Sequence, residues 1–345
     1  MKIAHVGKNL ANVPFLIVRA LRKIGIPAEL FIGRISTMGE VPYEYSEWIH
    51  YMKYGSLSEK FALFFELSKN DYAGLQTYAG SSVFTQFINK PYVVYATGSD
   101  LLGLSERQDI GSFLMRRSIT HAKSLTYGNV PLLYDAKKIR PDAKFIPQPI
   151  FFEDFAPIKE RTDTGRQLKI FCPSRIDFRT KGTNIFFRGF ARAIRKRKDL
   201  YLTFIDWGPD SNKIKKFIKE NNLGGYVHST LPFGKKELIE QYQLSDIVVD
   251  QFIFGGFGMV GIEAMACGKP ILSYINNDDH ISTYGSIPPV LNARNENEIT
   301  NILSRIQKEE CRSVGEKGKK WLKKYHDWNV IANKYKKIYM EHGLL

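Results

Sequence analysis

Short apolar runs alternate with amphipathic stretches through the first half of the chain. Five such runs predict buried strands: Ile3 to Val6, Ala28 to Ile32, Tyr92 to Tyr95, Leu125 to Tyr127, and Phe145 to Ile146. After the first run, apolar residues recur at helical spacing from Phe15 to Ile24, and Gly25 is placed to end that helix. Strands and helices in alternation predict an α/β domain.

The second half repeats this alternation from Leu168 onward. Its apolar runs predict strands at Lys169 to Cys172, Tyr201 to Ile205, Tyr226 to His228, Ile247 to Val249, and Ile271 to Ser273. Helices are predicted at Thr183 to Arg197, Lys213 to Asn221, Lys235 to Tyr242, and Ile262 to Cys267, with a helical tail from Glu296. Because such alternation is typical of parallel sheets, the sequence predicts two Rossmann-like α/β domains that face a ligand cleft.

A proline-rich and polar stretch predicts the boundary between the two domains. Pro147, Pro149 and Pro157 come before the polar run from Lys159 to Gln167. We therefore expect residues 1–157 to form the first domain and residues 165–322 to form the second. Two domains of this size suit a chain of 345 residues.

Composition limits the classes of protein that fit. Hydrophobic residues make up 43% of the chain, and no apolar run approaches the roughly 18 residues that a membrane helix needs. The first ten residues, MKIAHVGKNL, are too few and too polar for a secretory signal. The three cysteines lack metal-ligand spacing and are expected to be reduced thiols. We expect a cytoplasmic protein, with the inner face of the membrane as a candidate location.

The formal net charge of +15 indicates an anionic partner. Nucleic acid, anionic lipid headgroups and a phosphorylated substrate are the candidates. The basic residues cluster at Arg192 to Lys198, Lys213 to Lys219, Lys317 to Lys324, and Lys334 to Lys337. All four clusters fall on stretches with helical periodicity, so each of them alone also fits a solvated helix face.

The stretch from Gly255 to Pro270, GGFGMVGIEAMACGKP, carries the most specific chemistry. A glycine-rich loop that leads into a helix presents backbone N–H groups and a positive dipole end to phosphate. Glu263 is expected in the first turn of that helix, where a carboxylate suits ribose hydroxyls. The segment predicts a bound nucleotide, although a structural corner between a strand and a helix has the same pattern.

A second loop offers two cations. The first strand of the second domain runs into PSRIDFRTKGTN, in which Arg175 and Lys181 lie six residues apart across a turn. An arginine fork and a lysine point charge at a strand's carboxyl end suit a diphosphate. Two exposed turn residues would also explain this pattern.

Four motifs follow one another in a familiar order: SRIDFRTKGTN, IDWGPD, LSDIVVD and GGFGMVGIEAMACGKPIL. Their order resembles the donor half of family 4 retaining glycosyltransferases, which are group 1 glycosyl transferases of GT-B architecture. IPQPIFFEDFAP, from Ile146 to Pro157, is similar to the family's segment beside its interdomain linker. TGSD, from Thr97 to Asp100, resembles the family's His-Gly-x-Asp turn. The resemblance extends from about Tyr92 to the C-terminus.

The resemblance implies a role for each matching residue of the donor half. Arg175 and Lys181 would bind the donor's diphosphate and stabilise its charge as it leaves. Glu263 would hold the ribose. Backbone N–H groups would be supplied to phosphate and sugar by Gly256, Phe257, Gly258 and Met259.

On the acceptor side, the sequence offers fewer candidate residues. The candidates are Asn9, in the turn KNLANVP after the first strand, Thr97 and Asp100. A C-terminal helix at about 326–345 would pack back on the first domain, as in the GT-B fold.

The sequence departs from the family pattern at three positions. Gly255 stands where the family has its first glutamate, eight positions before Glu263, and that glutamate is usually assigned to the donor sugar. Thr97 stands where a histidine is often found, so the sequence supports no catalytic histidine there. Asp206 replaces the first glycine of a Gly-x-Gly turn.

The resemblance implies a retaining glycosyltransferase of the hexosyltransferase type. It would move a sugar from a nucleotide-diphosphate sugar to a glycan or lipid-linked acceptor, in the assembly of cell-surface polysaccharide or glycolipid. Arg175 and Lys181 can replace a divalent ion, and we expect no metal cofactor. Asp278 and Asp279 are adjacent rather than spaced as Asp-x-Asp, which indicates a surface loop.

The acceptor itself is indicated only weakly. The aromatic and basic segment from Tyr43 to Lys60, with Arg116, Arg117 and Lys123, suits an acceptor at an anionic membrane surface. Ordinary packing of these aromatic side chains in the core would explain the same pattern.

Other functions fit parts of the pattern. A nucleic-acid-binding protein fits the charge of +15, but the chain has no recognisable reader motif, and no nucleic acid partner is expected. An epimerase or a phosphorylase would keep the GT-B fold and change the reaction. A donor-binding protein without transferase activity fits the glycine at position 255.

Overall fold

The computed structural model describes residues 2–33, 35, 37–52, 57–157 and 165–345. Tyr54 and most of the predicted linker from Lys159 to Gln167 lie outside the described residues. The chain divides into two compact units. One consists of Met1–Pro149 with Tyr325–Leu345, and the other of Ile150–Lys324.

The first unit is built on a parallel sheet. Its described strands are β1 (Lys2–Gly7), β2 (Ala28–Ile32), β3 (Ile49–Tyr51), β4 (Tyr72–Tyr78), β5 (Tyr92–Ala96), β6 (Ser124–Tyr127) and β7 (Lys144–Phe145). They lie in the order β3-β2-β1-β4-β5-β6-β7, and every pair is parallel. The five predicted strands are confirmed, whereas β3 and β4 were not predicted.

Helices cover this sheet: α1 (Val13–Lys23), α2 (Leu57–Lys69), α3 (Ser82–Thr85), α4 (Ile110–His121) and α5 (Leu133–Ile139). The helix predicted from Phe15 to Ile24 is confirmed as α1, whose apolar residues are buried. Asp109 caps α4 because its Oδ1 accepts the backbone N–H of Ser112 at 2.9 Å.

The second unit contains another parallel sheet. Its described strands are β8 (Leu168–Cys172), β9 (Leu200–Ile205), β10 (Val227–Thr230), β11 (Ile247–Val249), β12 (Ile271–Ser273) and β13 (Leu291–Asn292). They lie in the order β10-β9-β8-β11-β12-β13. The strand order reverses between β8 and β11, and open α/β sheets bind ligands at the carboxyl ends of the strands at such a switch point.

The helices of the second unit are α6 (Thr183–Lys196), α7 (Ser211–Glu220), α8 (Lys235–Leu244), α9 (Met259–Ala266), α10 (Asn277–Tyr284), α11 (Glu296–Arg305) and α12 (Lys308–His326). The end of α12, at Tyr325 and His326, belongs to the first unit. The prediction of a surface loop at Asp278 and Asp279 is wrong. Both lie in the first turn of α10, because Asn276 Oδ1 accepts their backbone N–H groups and carboxylates are favoured there.

Basic residues of α6 lie on its outer face. Phe186 and Phe190 are fully buried, whereas Arg188 and Arg192 point outward and pair with Glu296 of α11. Ion pairs of this kind explain part of one basic cluster as a solvated helix face.

The last helix, α13 (Trp328–Glu341), belongs to the first unit. Tyr339 donates a hydrogen bond to Gln76 Oε1 on β4, and His5 Nδ1 on β1 lies 2.7 Å from the hydroxyl oxygen of Tyr78. All four side chains are buried. Burial lowers the pKa of His5 to about 3, so its imidazole is neutral inside this polar network.

The cysteines are free thiols. Cys172 and Cys311 are buried, and burial raises the pKa of each thiol to about 12. Thiols of this kind are unreactive core groups. Among the helices within the described ranges, none is both long and apolar enough to cross a membrane.

Candidate functional site

Arg175 lies in the loop between β8 and α6, beside the switch point of the second sheet. Its Nη2 donates to Asp177 Oδ2 at 2.8 Å and to Thr180 Oγ1 at 3.2 Å, and its side chain is 45% exposed. Asp177 Oδ1 accepts the backbone N–H groups of Arg179 and Thr180. The carboxylate thus closes the loop and fixes one edge of a guanidinium that remains open to solvent.

Asp177 is ionised in this arrangement. Burial by itself would raise the pKa of its carboxyl group, but hydrogen bonds from Thr180 and the charge of Arg175 outweigh burial and lower that pKa. Arg175 and Asp177 therefore form a pair of opposite charges within the loop at neutral pH.

The turn after β9 packs against this loop. Ile176 donates its backbone N–H to the carbonyl of Trp207 at 2.8 Å. Gly208 has a φ of +116°, and a Cβ there would lie 2.4 Å from the carbonyl oxygen of Ile176, so only glycine fits. Asp206 stands where the family pattern has the first glycine of its Gly-x-Gly turn. Its carboxylate pairs with Lys215 Nζ of α7 at 2.6 Å.

Lys181 lies at the end of the same loop, and its side chain is 23% exposed. Its Nζ is 3.3 Å from Asp250 Oδ1 and 3.2 Å from Gln251 Oε1. The carbonyl of Lys181 accepts the backbone N–H of Phe252 at 2.8 Å. These contacts join the loop after β8 to the segment after β11, so both loops of the switch point meet at Lys181.

Asp250 is the buried centre of this junction, with 0% exposure. Its Oδ1 accepts from Ser174 Oγ at 3.2 Å and pairs with Lys181. Its Oδ2 accepts the backbone N–H of Gly258 at 2.6 Å. One carboxylate therefore connects the loop after β8, the end of β11 and the beginning of α9.

Helix α9 begins earlier than predicted. It starts at Met259, after Gly258, and it ends at Ala266, shortly before the predicted stop at Gly268. Glu263 is therefore in the second turn, and its predicted place in the first turn is wrong. The reason is the hydrogen bond to Asp250, which fixes Gly258 as the residue that caps the helix.

Glu263 points into a buried polar cluster and is 5% exposed. It forms an ion pair with Lys235 of α8 and accepts a hydrogen bond from the hydroxyl of Tyr242 at 3.1 Å. Lys235 Nζ also lies 5.2 Å from the centre of the Phe155 ring. Burial, and then the charge of Glu263, raises the pKa of Tyr242 well above its usual value, so Tyr242 remains a donor.

The backbone at position 255 favours glycine. Its φ is +70°, and a Cβ there would lie 3.2 Å from Asn276 Cβ and 3.3 Å from Tyr274 Cε1. A glutamate would meet both the strained backbone conformation and the crowding. Local geometry thus disfavours the first glutamate of the family pattern at this position.

The rest of the glycine-rich segment is mostly buried. The carbonyl of Gly256 accepts from Gln251 Nε2 at 2.7 Å. The Phe257 side chain packs inward, with its ring centre 6.1 Å from that of Trp321. Met259 is half-buried at the first position of α9. Of the four predicted N–H donors, the structure directs that of Gly258 to Asp250.

The acceptor-side candidates lie at the carboxyl ends of β1 and β5 in the first unit. Asn9 is fully buried, accepts the backbone N–H of Phe15 at 3.0 Å and donates to Asn12 and to the carbonyl of Glu40. These hydrogen bonds give Asn9 a structural task at the start of α1.

Thr97 and Asp100 form a tight turn after β5. Asp100 Oδ1 accepts from the backbone N–H and the hydroxyl of Thr97 at 3.1 Å, and from the N–H of Gly98 at 2.6 Å. Both residues are half-buried. The polar groups of Thr97 and Asp100 stabilise the turn by bonding to each other. The candidate acceptor-side feature is therefore the turn as a whole.

Sequence reasoning missed four of the residues that build the site: Ser174, Lys235, Tyr242 and Asp250. Asp250 had a usable signal, because it directly follows the buried strand β11 and polar residues at that edge face ligands. Lys235 and Tyr242 come from α8, and nothing in the sequence pairs that helix with Glu263.

Comparison with known families gives this site a context. Residues 155–277 match the family described as glycosyl transferases group 1. The match takes in Arg175, Lys181, Asp250 and Glu263. This match agrees with the resemblance to group 1 glycosyl transferases that the motifs indicated.

Two curated relatives match part of the chain. An MMP alpha-(1->4)-mannosyltransferase from Mycolicibacterium hassiacum is 22% identical over 183 residues, which cover 50% of this chain and 42% of the relative. An uncharacterized glycosyltransferase from Methanocaldococcus jannaschii is 32% identical over 152 residues, 42% of each protein. The chain thus spans about two fifths of the length of these relatives.

A solved structure matches nearly the whole chain. Anabaena HepE in complex with UDP-glucose superposes with a TM-score of 0.72 and 12% identity, covering 99% of this chain and 100% of HepE. At this identity the likeness shows the fold. The predicted α/β architecture with two Rossmann-like parallel-sheet domains of the GT-B class is confirmed.

Proposed function

We propose that this chain transfers a sugar from a nucleotide-diphosphate sugar to a glycan or lipid-linked acceptor, with retention of anomeric configuration. One observation carries the proposal: Lys181, from the loop that also holds Arg175, meets the beginning of α9 at the switch point of the second sheet. Cations and a helix amino end at that position suit a diphosphate. Glu263, on the same helix, suits the ribose.

The reaction breaks the bond between the anomeric carbon and the leaving diphosphate through an oxocarbenium-like state. Negative charge builds on the leaving oxygen, and fixed cations that are already in place stabilise it. Arg175 is held by Asp177 and Lys181 by Asp250, so neither has to be reorganised during the step. Loss of one such donor typically costs about 100-fold in rate.

We propose that the reaction needs no divalent metal. In this scheme Arg175 and Lys181 supply the positive charge beside the diphosphate, since both are partly exposed. Transfer rates measured with and without a chelator, on protein stripped of metal, test this part directly. Full activity with the chelator is expected, and activity restored only by added metal would contradict it.

A panel of nucleotide sugars tests the proposed function. UDP-glucose comes first, because HepE was solved in complex with it. Product formation is followed with lipid-linked and oligosaccharide acceptors, and the anomeric configuration is assigned by NMR. An α-linked product from an α-linked donor supports retention. Binding of a donor without any product would favour the non-catalytic binder, and conversion of the donor sugar without transfer would favour an epimerase.

For the acceptor side, we propose contact with an anionic membrane surface. Leu57, Phe61 and Phe65 follow each other at four-residue spacing on α2 and are 63%, 41% and 58% exposed. Lys69 Nζ lies 4.0 Å from the centre of the Phe65 ring. An apolar stripe beside a cation suits the interface between acyl chains and acidic headgroups.

The aromatic segment from Tyr43 to Lys60 supports this contact only in part. Tyr43 and Trp48 pack on Phe15, with ring centres 5.6 and 5.5 Å from that of Phe15, which is ordinary core packing. Tyr45 is 88% exposed. The aromatic surface is therefore provided mainly by α2.

Vesicle flotation tests the membrane contact. The wild-type chain is expected to float with vesicles of phosphatidylcholine and phosphatidylglycerol. The variant Phe61→Ser/Phe65→Ser is expected to remain in the bottom fraction of the gradient. Leu231→Ser is the matched control, because Leu231 is also exposed, at 76%, but lies in the second unit. Equal flotation of all three proteins would contradict the contact.

A further inference from the structure

Two aspartates frame β11, and they make the same kinds of contact at its two ends. Asp246 precedes the strand, accepts the backbone N–H of Lys169 at 2.8 Å and lies 3.7 Å from Lys308 Nζ. Asp250 follows the strand, accepts the backbone N–H of Gly258 at 2.6 Å and lies 3.3 Å from Lys181 Nζ. Only Asp250 stands at the carboxyl edge, where the diphosphate is proposed to bind.

Asp250 differs from the site's other carboxylates in its isolation from solvent. Its side chain is 0% exposed, compared with 10% for Asp177, the partner of Arg175. We expect a ligand that reaches Lys181 from solvent to leave Asp250 in place, because the carboxylate is fully buried and accepts hydrogen bonds from Ser174 and Gly258. The negative charge of Asp250 therefore stays in place when an anion binds.

The charges of the junction balance. Lys181 carries one positive charge, and Asp250 carries one negative charge 3.3 Å away. Asp250 also engages the N–H of Gly258, the residue that caps α9, which would otherwise be turned toward a phosphate. The Lys181 ammonium and the Gly258 N–H are the groups that would attract an anion to this edge. The carboxylate of Asp250 already contacts both of them.

We propose that Asp250 is a positioning residue for the proposed transfer: a fixed internal counter-anion that aligns Lys181 and the amino end of α9 and limits how tightly the site holds a nucleoside diphosphate. The inference rests on the proposed function and deepens it. A diphosphate is both part of the donor and the leaving product, and a site with an unopposed lysine would hold that product more tightly. Asp250 keeps Lys181 in place for the charge that develops during transfer while weakening product binding.

The test measures binding of nucleoside diphosphates and monophosphates by calorimetry, with UDP and UMP first and the GDP and ADP pairs after them. Asp250→Asn removes one negative charge and keeps the shape of the side chain. It is expected to tighten UDP binding about tenfold at low ionic strength, because one uncompensated charge then faces the ligand. The gain is expected to be smaller for UMP and to shrink in high salt.

Asp246→Asn is the matched control, because it removes the equivalent carboxylate at the opposite end of β11. It is expected to leave UDP binding unchanged. Unchanged or weaker UDP binding by a folded Asp250→Asn variant would overturn the inference, and so would an equal gain for UMP and UDP.

A second variant covers the case in which Asp250→Asn does not fold. Gln251→Glu adds a carboxylate 3.2 Å from Lys181 Nζ and is expected to weaken UDP binding more than UMP binding. An equal loss for both ligands would count against the inference. Failure of the proposed function is distinguishable, because the wild-type chain would then bind none of the three diphosphates or would bind a donor and form no transfer product.

Discussion

Glu263 of α9 and Lys235 of α8 form an ion pair that is almost closed to solvent, with side-chain exposures of 7% and 22%. The hydroxyl of Tyr242 donates a further hydrogen bond to the same carboxylate. A buried carboxylate with two fixed donors keeps its orientation, and its remaining lone pairs can accept from ligand hydroxyls. This arrangement suits the ribose role proposed for Glu263.

Replacement of Glu263 by glutamine tests that role. Wild-type protein is expected to prefer UDP over its 2′,3′-dideoxy analogue by at least about tenfold, since hydrogen bonds to a charged group contribute about 1.5–3 kcal/mol. Glu263→Gln is expected to lose most of that preference in calorimetric titrations. Glu296→Gln serves as the control, because Glu296 also forms ion pairs but lies on α11. A preference that survives in Glu263→Gln would remove the ribose assignment.

The geometry at position 255 predicts a stability difference between two glycine variants. Gly255 and Gly285 both have a φ of +70°, but a Cβ at Gly285 would meet no atom within 4 Å. Gly285→Ala is expected to lower the free energy of unfolding by about 1 kcal/mol through backbone strain alone. Gly255→Ala is expected to cost more, because Asn276 and Tyr274 crowd the new methyl group.

Urea unfolding of the two variants measures this difference. Equal losses of stability would mean that Asn276 and Tyr274 move away from the new methyl group with no loss in the free energy of unfolding. In that case only the backbone conformation would disfavour the family's first glutamate at this position.

Two buried histidines predict an acid-sensitive first unit. His5 lies 2.7 Å from the hydroxyl of Tyr78, and His326 Nδ1 lies 2.8 Å from the carbonyl oxygen of Gln148. Burial lowers the pKa of each histidine from 6.5 to about 3. Between pH 6.5 and about 3 the unfolded chain binds more protons than the folded chain, so stability falls as the pH falls through this window.

Each histidine contributes at most about 1.4 kcal/mol of lost stability per pH unit in that window. His5→Gln is expected to be less stable than the wild-type chain at pH 7.5 but to lose stability less steeply down to pH 4.5. The solvent-exposed His121 provides the control variant His121→Gln. Unfolding curves with parallel pH dependence for wild type and His5→Gln would contradict the prediction.

The strands were predictable where burial coincides with an apolar run, as in β5 and β11. Strand β4 escaped prediction because Gln76 and Thr77 interrupt its pattern. Gln76 is nevertheless buried, since its polar groups are satisfied by Tyr78 and by Tyr339 from the far end of the chain. Tyr339 is 263 residues away from Gln76 in sequence, and no local pattern reveals this contact.

The same limit applies to the candidate site. Arg175 and Lys181 could be singled out because they flank a turn after a strand, where chemistry is expected. The start of α9 could not be placed, because it depends on a hydrogen bond from Gly258 to Asp250 rather than on helix propensity. Sequence indicates which loops carry the chemistry, whereas the partner of each charge depends on long-range packing.

The account rests on Arg175 and Lys181 as the groups that bind the diphosphate. Arg175→Ala is expected to leave the fold intact, because Arg175 is half-exposed. Lys181→Ala is also expected to fold, because Asp250 keeps its hydrogen bonds from Ser174 and Gly258. Arg188→Ala is the matched control, since Arg188 is an exposed arginine in an ion pair on α6.

The central claim is tested most directly by calorimetric titration of UDP, GDP and ADP into these three variants. Transfer rates are measured alongside, with the donor that the panel of nucleotide sugars selects. Arg175→Ala and Lys181→Ala are each expected to weaken binding of the selected diphosphate about tenfold and to slow transfer about 100-fold, with Arg188→Ala like wild type. Diphosphate binding and transfer at wild-type levels in both site variants would contradict the account.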